Sequence, residues 1–150
     1  MDLTTLNVGC GRFPVSGAVN LDVAAGPGVD VVWDLDVGPW PFPDGQFARV
    51  QGIQVFEHVA NPVLFMAEAW RVLQPDGVLH LEVPHYTSRN SFTDPTHRRH
   101  CTEETFDYWC VGTPLNGSNG PVYGGDVHRF AKQAVVKVGE DLHATLRKLP

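Results

Sequence analysis

The chain has 150 residues, of which 43% are hydrophobic and 19% charged, and this length predicts a single domain over residues 1–150. The formal net charge of −6 argues against general affinity for nucleic acid, because phosphate binding needs a basic face. No apolar run approaches the roughly 20 residues of a membrane span, and no signal peptide is visible. The three cysteines lack a paired metal-type spacing. We therefore expect a cytoplasmic protein without membrane association.

The first half of the chain alternates short apolar runs with Gly, Pro and Asp, a pattern typical of strands in a largely buried sheet. Candidate strands cover residues 4–8, 18–22, 29–33, 48–53 and 77–83. Each run ends near a residue able to bind a ligand, namely Gly9, Asp22, Asp34, Gln54 and His85. Because ligands of open parallel sheets bind beyond the carboxyl ends of the strands, these positions predict one common site.

The clearest helix begins at Pro62, with Asn61 as its N-cap. It should end at "QPDG", residues 74–77, before the next strand. A strand, a helix and a strand in succession imply a right-handed crossover between parallel strands. The apolar stripe predicted to face the sheet consists of Val63, Met66, Trp70 and Leu73.

The second half predicts a shorter helix over residues 103–110, capped by Thr102, and long loops over residues 85–101 and 111–125. The tail predicts two strands that turn at Gly139-Glu140, since apolar and polar residues alternate over residues 142–147. The predicted fold class is α/β: a compact Rossmann-like, doubly wound and mostly parallel sheet with a C-terminal antiparallel hairpin.

The stretch "LNVGCGRFPVSGAVNLDV", residues 6–23, combines a glycine loop with an acidic strand end. Gly9 and Gly11 allow a sharp turn close to a ligand, and Asp22 can accept hydrogen bonds from both hydroxyls of a ribose. Each feature alone is also typical of an ordinary turn. A dinucleotide fingerprint needs a third glycine where this chain has Pro14. The spacing to Asp22 leaves no room for the usual first crossover helix, so residues 12–17 should form a loop.

Five segments taken in order, "LNVGCG", "NLDV", "WDLDVGPWPFPDGQFARV", "VFEHV" and "AWRVLQPDGVLHLEVP", resemble class I S-adenosylmethionine-dependent methyltransferases of the type 11 kind. The resemblance runs from about residue 6 to residue 109. It includes "DPTHRRHCTEETFDYW", residues 94–109, which is similar to a segment of small methyltransferases with the same compressed glycine loop. It implies S-adenosylmethionine as cofactor and methyl transfer to a small-molecule or sugar-containing acceptor.

The resemblance also implies which residues bind the cofactor. Asp22 would hold the ribose hydroxyls, while Asp34 and the backbone amide of Leu35 would bind adenine. The complete implied cofactor site is Gly9, Cys10, Gly11, Asp22, Asp34, Leu35, Gln54 and His58.

Displacement on a sulfonium requires the reactants in line, and a general base only where the acceptor loses a proton. His85, which follows the fifth strand, is the first candidate for that base, and His97 is the second. Tyr86 could line the acceptor pocket, and Arg98 or Arg99 could pair with a carboxylate or phosphate of the acceptor.

The segment "DPTHRRHC" also allows two other interpretations. Asp94 could pair internally with an arginine to order the loop. Alternatively, Asp94, His97, His100 and Cys101 could bind a metal, but no HExxH or CxxC companion exists, so we predict no metal site.

Other classes of protein remain open. A non-catalytic S-adenosylmethionine-binding module, or a pseudo-enzyme that assists a partner, is the main alternative. A nucleic-acid methyltransferase is disfavoured, since "QVFE" stands where such enzymes carry an Asn/Asp-Pro-Pro-aromatic motif. A thin cover on one side of the sheet could also favour a homodimer.

Overall fold

The computed structural model describes residues 4–150. The strands in chain order are β1 (Thr5–Val8), β2 (Val19–Asp22), β3 (Val31–Val32), β4 (Phe47–Ile53), β5 (Leu73–Pro84), β6 (Phe130–Val138) and β7 (Asp141–Lys148). The helices are α1 (Pro62–Val72), α2 (Arg89–Thr93) and α3 (Pro114–Asn119), with 3₁₀ turns at Asp107–Trp109 and Gly120–Tyr123.

All seven strands form one sheet in the order β3-β2-β1-β4-β5-β7-β6. Strands β1 to β5 pair in parallel, and β7 pairs antiparallel with both β5 and β6. The strand order reverses between β1 and β4, which is the point where an open sheet of this type binds its ligand. The predicted doubly wound strand order and C-terminal hairpin are therefore confirmed.

Strand β5 begins earlier than the sequence predicts. Phe47 pairs with Leu73, and Arg49 pairs with Val78, so residues 74–77 bulge opposite a single residue of β4. Asp76 takes a positive φ of 62° there. The "QPDG" turn is real, but it lies within the strand and not before it.

Helix α1 begins as predicted, since the side chain of Asn61 accepts a hydrogen bond from the backbone N–H of Leu64 at 3.0 Å. The predicted apolar stripe packs against the core, although Val63 and Trp70 are only half-buried. Phe65 sets the buried face by packing edge-on against two other aromatic rings. The buried residues of the helix are Phe65, Met66, Glu68, Ala69 and Val72.

The segment after β5 also differs from prediction. The loops predicted over residues 85–101 and 111–125 contain α2 and α3, while the helix predicted over 103–110 is reduced to the 3₁₀ turn Asp107–Trp109. Thr102 does accept from the N–H of Glu104 at 3.2 Å. However, strand-like bridges from Cys101 to His85 and from Cys110 to Phe130 fix both ends of the segment and prevent a regular helix.

The two faces of the sheet differ in composition. One face carries buried apolar residues such as Leu6, Val50 and Leu81, which belong to the core with α1. The opposite face carries polar, half-exposed residues such as Gln51 and His80. Within residues 4–150 every helix follows β4 in the chain, and residues 12–17 form a loop. None of these helices combines the length and apolar character that a bilayer crossing needs.

An ion-pair network anchors the long connection between β3 and β4 to α1. Arg71 binds Glu68 and Asp44, each at 2.7 Å, and donates to the carbonyl oxygens of Trp40 and Phe42. Glu68 in turn accepts from the N–H of Trp40 at 2.6 Å. Burial opposes ionisation of Glu68, but the hydrogen bonds from Arg71 and Trp40 outweigh it and lower its pKa.

We expect Arg71→Met to lower the free energy of unfolding by about 2–3 kcal/mol, because it leaves the buried carboxylate of Glu68 without its cation. Asp44→Asn is the matched control, since the Asp44 side chain is 81% exposed and exposed pairs contribute about 0–1 kcal/mol. Urea unfolding of both variants measures the difference. Equal losses in the two variants would contradict this account of the connection.

Candidate functional site

The glycine loop that follows β1 is shaped by two left-handed backbone conformations. Gly9 has a φ of 63° and Gly11 a φ of 51°. A Cβ atom at Gly9 would lie 2.3 Å from Cγ2 of Val55, whereas one at Gly11 would meet no atom within 4 Å. The loop therefore packs tightly against the end of β4 at Gly9 and leaves open space for a ligand at Gly11.

Asp22, at the end of β2, closes the glycine loop. Its Oδ2 accepts from the N–H of Gly11 at 2.8 Å, and its Oδ1 accepts from the N–H of Ala24 at 3.0 Å. Each carboxylate oxygen keeps a lone pair that can accept from a ribose hydroxyl. The carboxylate therefore fits the predicted ribose contact while it also holds two loops in place.

Asn20 holds the rest of the loop that replaces the first crossover helix. Its Oδ1 accepts from the N–H of Val15 at 2.7 Å and from Nδ2 of Asn7 at 2.9 Å. Its Nδ2 donates to the carbonyl oxygen of Val15 at 3.1 Å. Side-chain amides thus satisfy the backbone groups that a helix would satisfy internally.

A cleft of about 170 Å³ lies at the carboxyl ends of β1 to β4. It brings together five of the predicted cofactor residues, namely Gly9, Asp22, Asp34, Leu35 and His58. Asp34 contributes one free carboxylate oxygen, since only Oδ1 accepts a bond, from the N–H of Asp36 at 2.9 Å.

The other three predicted cofactor residues, Cys10, Gly11 and Gln54, line a neighbouring hollow that shares Gly9 with the first cleft. Gln54 has a φ of 55°, a strained conformation for a residue with a side chain, and strain of this kind is typical of functional sites. Burial and the nearby Asp22 raise the pKa of the Cys10 thiol, which makes it a packing residue and not a nucleophile.

Glu57 is a feature of the site that the sequence analysis missed. It is only 1% exposed, and neither of its carboxylate oxygens has a hydrogen-bond partner in the described part of the chain. Burial raises its pKa to about 7. The adjacency of Glu57 and His58 in "FEHV" was the only available signal, because the burial of Glu57 depends on the later segment that packs over it.

His97 lies next to Glu57 and His58. Its Nε2 is 4.0 Å from Oε1 of Glu57 and 3.7 Å from Oδ2 of Asp94, and the rings of His97 and His58 are 4.7 Å apart. Burial and the neighbouring His97 lower the pKa of His58. The structure thus joins the "FEHV" turn and the "DPTH" segment in one cluster beside the cleft.

His85 is placed unfavourably for proton transfer to a substrate. It is 4% exposed, its Nδ1 lies 2.6 Å from Oγ1 of Thr87, and its Nε2 lies 3.0 Å from both carboxylate oxygens of Glu103. Both ring nitrogens are therefore engaged inside the protein. The structure argues against the predicted base role, and these contacts instead make His85 a link between β5 and the following segment.

The arginines of "DPTHRRH" also differ from expectation. Arg99 donates to the carbonyl oxygens of Phe56 and Val59 and lies over the ring of Phe56 at 5.2 Å, so its guanidinium orders the "FEHV" turn and is not free for an acceptor. Arg98 is exposed, and its backbone N–H donates to the carbonyl of Glu57 at 2.8 Å. Tyr86 is 46% exposed. Arg98 and Tyr86 therefore stay available for an acceptor.

The metal set considered from the sequence does not assemble. His100 bonds to the hydroxyl of Ser91 at 2.7 Å and stacks on Phe92 at 3.8 Å. Cys101 is buried, and burial raises the pKa of its thiol to about 12. Neither side chain joins Asp94 and His97.

The strand order, the glycine loop and the acidic ends of β2 and β3 together define the fold of class I S-adenosylmethionine-dependent methyltransferases. Residues 16–81 match a family model described as a methyltransferase domain. That match begins within the loop after the two glycines. No curated protein matches the sequence closely enough to indicate a relative.

Solved structures of methyltransferases show the same fold. One from Thermotoga maritima is 17% identical with a TM-score of 0.65, over 97% of this chain and 82% of that one. The 1,6-didemethyltoxoflavin-N1-methyltransferase of Burkholderia thailandensis, which holds 1,6-didemethyltoxoflavin and S-adenosylhomocysteine, is 16% identical with a TM-score of 0.64, over 97% and 71%. A methyltransferase of Haloferax volcanii in complex with a methyltransferase activator is 11% identical with a TM-score of 0.62, over 95% and 81%.

These findings confirm the resemblance seen in the sequence. The chain has the fold of class I S-adenosylmethionine-dependent methyltransferases, and its residues 16–81 match the model of a methyltransferase domain. The cofactor of this class is S-adenosylmethionine, and one structural neighbour holds its demethylated product.

We expect Gly9→Ala to lower the free energy of unfolding by about 2–4 kcal/mol, because a positive φ and a collision with Val55 act together. Gly11→Ala is the matched control and should cost about 1–2 kcal/mol, since only the backbone conformation opposes it. Chemical unfolding of both variants gives the comparison. A Gly11→Ala loss as large as that of Gly9→Ala would contradict the packing described here.

Proposed function

We propose that the chain transfers a methyl group from S-adenosylmethionine to a small-molecule or sugar-containing acceptor. The observation that supports this most directly is the convergence of Gly9, Asp22 and Asp34 on one cleft at the strand-order reversal. Three successive strand ends thus present a tight loop and two acidic side chains to the same space. The methyltransferase-domain match of residues 16–81 supports methyl transfer as the chemistry of this arrangement.

The two adjoining hollows suggest how the cofactor would lie. The adenosine part occupies the cleft of about 170 Å³, with the ribose hydroxyls donating to Asp22 and the adenine amine donating to the free oxygen of Asp34. The Leu35 amide contacts the adenine ring. The methionine part crosses Gly9 into the hollow lined by Cys10, Gly11 and Gln54, where the missing side chain at Gly11 leaves room.

The acceptor side of the site is the cluster beyond β4. His58 lines the cofactor cleft, and its ring contacts His97, so this cluster brings two histidine side chains to the edge of the cleft. Of the two predicted base candidates, His97 is the one that lies in this cluster. Arg98, which follows His97 in the chain, and Tyr86, which follows His85, are both exposed and available to contact the acceptor.

Most of the rate enhancement would come from alignment. Holding a nucleophile in line with the sulfonium methyl group can supply about 7–11 kcal/mol of the barrier. A general base adds about 10²–10⁴-fold only where the acceptor must lose a proton. The proposal therefore requires a pre-formed cofactor cleft and does not require a catalytic triad.

Cofactor binding is tested by calorimetry with S-adenosylhomocysteine. We expect micromolar affinity that Asp22→Ala weakens at least about tenfold, because two hydrogen bonds of about 0.5–1.5 kcal/mol each are lost. Asp22→Asn should be intermediate, and exposed Asp126→Asn is the control that should bind normally. An unchanged affinity in Asp22→Ala would show that this carboxylate does not bind the cofactor.

Methyl transfer is tested by a screen of sugar, phenol and amine acceptors with radiolabelled cofactor. We expect transfer to one of these classes, and a loss of about 10²-fold or more in His97→Gln, the size of a typical acid–base or electrostatic contribution. His85→Gln, corrected for its folded fraction, should lose less methyl-transfer activity than His97→Gln. Cofactor binding without transfer to any acceptor would favour the non-catalytic binding module instead.

A further inference from the structure

We propose that Glu57, His58 and His97 bind a divalent transition-metal ion between the "FEHV" turn and the "DPTH" segment. One ligand atom from each of the three side chains lies within 4.8 Å of the other two. Two imidazoles and one carboxylate form a mixed nitrogen and oxygen set that suits ions of the Zn²⁺ type. The inference goes beyond methyl transfer and can be tested without the cofactor.

The first argument is the unsatisfied carboxylate of Glu57. Its two oxygens are buried and accept no hydrogen bond from residues 4–150, although buried polar groups are almost always paired. Burying a carboxylate without a partner costs several kcal/mol, whereas coordination to a cation removes that cost. Arg99 does not fill this role, because its guanidinium donates to the carbonyl oxygens of Phe56 and Val59.

The second argument is the orientation of His97. Its Nδ1 lies 3.0 Å from the carbonyl oxygen of Ser91, and because a carbonyl can only accept, Nδ1 carries the proton. In the neutral ring Nε2, which faces Glu57 at 4.0 Å, is then the unprotonated nitrogen. A backbone carbonyl that fixes the tautomer in this way is the usual outer-shell partner of a metal-binding histidine.

His58 is oriented by a comparable chain of hydrogen bonds. The hydroxyl of Thr96 donates to Oδ1 of Asp94 at 2.7 Å and therefore accepts from Nδ1 of His58 at 2.9 Å. In the neutral ring, which the lowered pKa of His58 favours, this leaves Nε2 as the unprotonated nitrogen. Both histidines thus present the same free atom, and each is fixed through its other nitrogen.

One pair of ligand atoms already lies near the spacing that a bound ion requires. Metal–ligand distances of about 2.0–2.2 Å put the ligand atoms of a tetrahedral ion about 3.4 Å apart. The 4.0 Å between Nε2 of His97 and Oε1 of Glu57 is close to that value. Asp94 is not part of the cluster of three, so an acceptor or water would take the fourth position.

A second cluster in the protein provides the contrast. His80, Glu82 and His143 on the polar face of the sheet also have ligand atoms within 4.8 Å of one another. There, however, Nε2 of His80 bonds to Glu82 at 2.9 Å and Nδ1 bonds to Thr145 at 3.0 Å. Both ring nitrogens of His80 are thus engaged, and no side-chain atom of that cluster is buried without a partner within residues 4–150, so it does not require an ion.

The ion would lie on the acceptor side of the cofactor cleft, because His58 lines that cleft. A His97 that coordinates through Nε2 cannot take a proton at that atom. With the ion bound, His97 would act as a ligand and not as a base; where the proposed methyl transfer also holds, the ion would be the group that polarises an acceptor oxygen.

The test is calorimetric titration of chelator-treated protein with Zn²⁺, with Mg²⁺ as a second titrant. We expect Zn²⁺ to bind one site per chain and Mg²⁺ to bind far more weakly, since imidazole ligands disfavour Mg²⁺. Glu57→Gln and His97→Asn should each weaken Zn²⁺ binding by at least about 100-fold, because even outer-shell changes cost about 10–100-fold. Thr96→Val removes only the outer-shell partner of His58, and it should weaken Zn²⁺ binding by about 10–100-fold.

His143→Gln is the matched control and should bind Zn²⁺ as the parent protein does. Absence of Zn²⁺ binding, or binding that is lost in His143→Gln and kept in Glu57→Gln, would overturn the proposal. Far-UV circular dichroism establishes that each variant is folded, and Thr96→Val keeps the test decisive if Glu57→Gln unfolds. Because S-adenosylhomocysteine binding is measured in a separate titration, failure of the metal site and failure of the methyl-transfer proposal are distinguishable.

Discussion

The short connection between β1 and β2 is the constraint on which the site and the sheet depend. Parallel neighbours usually need a crossover of about a dozen or more residues that contains a helix, whereas here residues 9–18 make the connection without one. Side chains must then hold the backbone. Asn20 bonds to Val15, and Asp22 bonds to the N–H of Gly11 at 2.8 Å. The carboxylate that would bind the ribose is thus also the group that closes the glycine loop.

The same constraint explains why one face of the sheet is polar. Without helices before β4, that face has no apolar partner among the described residues, and apolar side chains there would face water. It carries cross-strand hydrogen bonds instead, such as Gln51 to Asn7 at 3.3 Å and His80 to Thr145 at 3.0 Å. A polar face of this kind does not need an apolar contact with a second copy of the chain. The homodimer stays a prediction, and so does the cytoplasmic location. The core lies entirely on the other face, with α1.

Features encoded by local patterns could be predicted from the sequence, and features created by distant contacts could not. Gly9, Asp22 and Asp34 end strands, and the cap at Asn61 is local, so their places followed from short motifs. The burial of Glu57 depends on "DPTH" packing over it. His85 is not a free base because it bonds to Glu103. Arg99 is not free to contact an acceptor because it bonds to carbonyl oxygens of the "FEHV" turn. None of these partners is adjacent in the sequence, and no spacing rule predicts them.

Hydrogen–deuterium exchange with and without S-adenosylhomocysteine tests the central claim, that one cofactor lies across the strand ends at Gly9. The account predicts slower exchange over residues 9–11, 22–24, 34–36 and 54–58, since both hollows lie there. The β6–β7 hairpin, at the far edge of the sheet, should exchange at an unchanged rate. Protection confined to other segments, or none at saturating ligand, would contradict the assigned cofactor site.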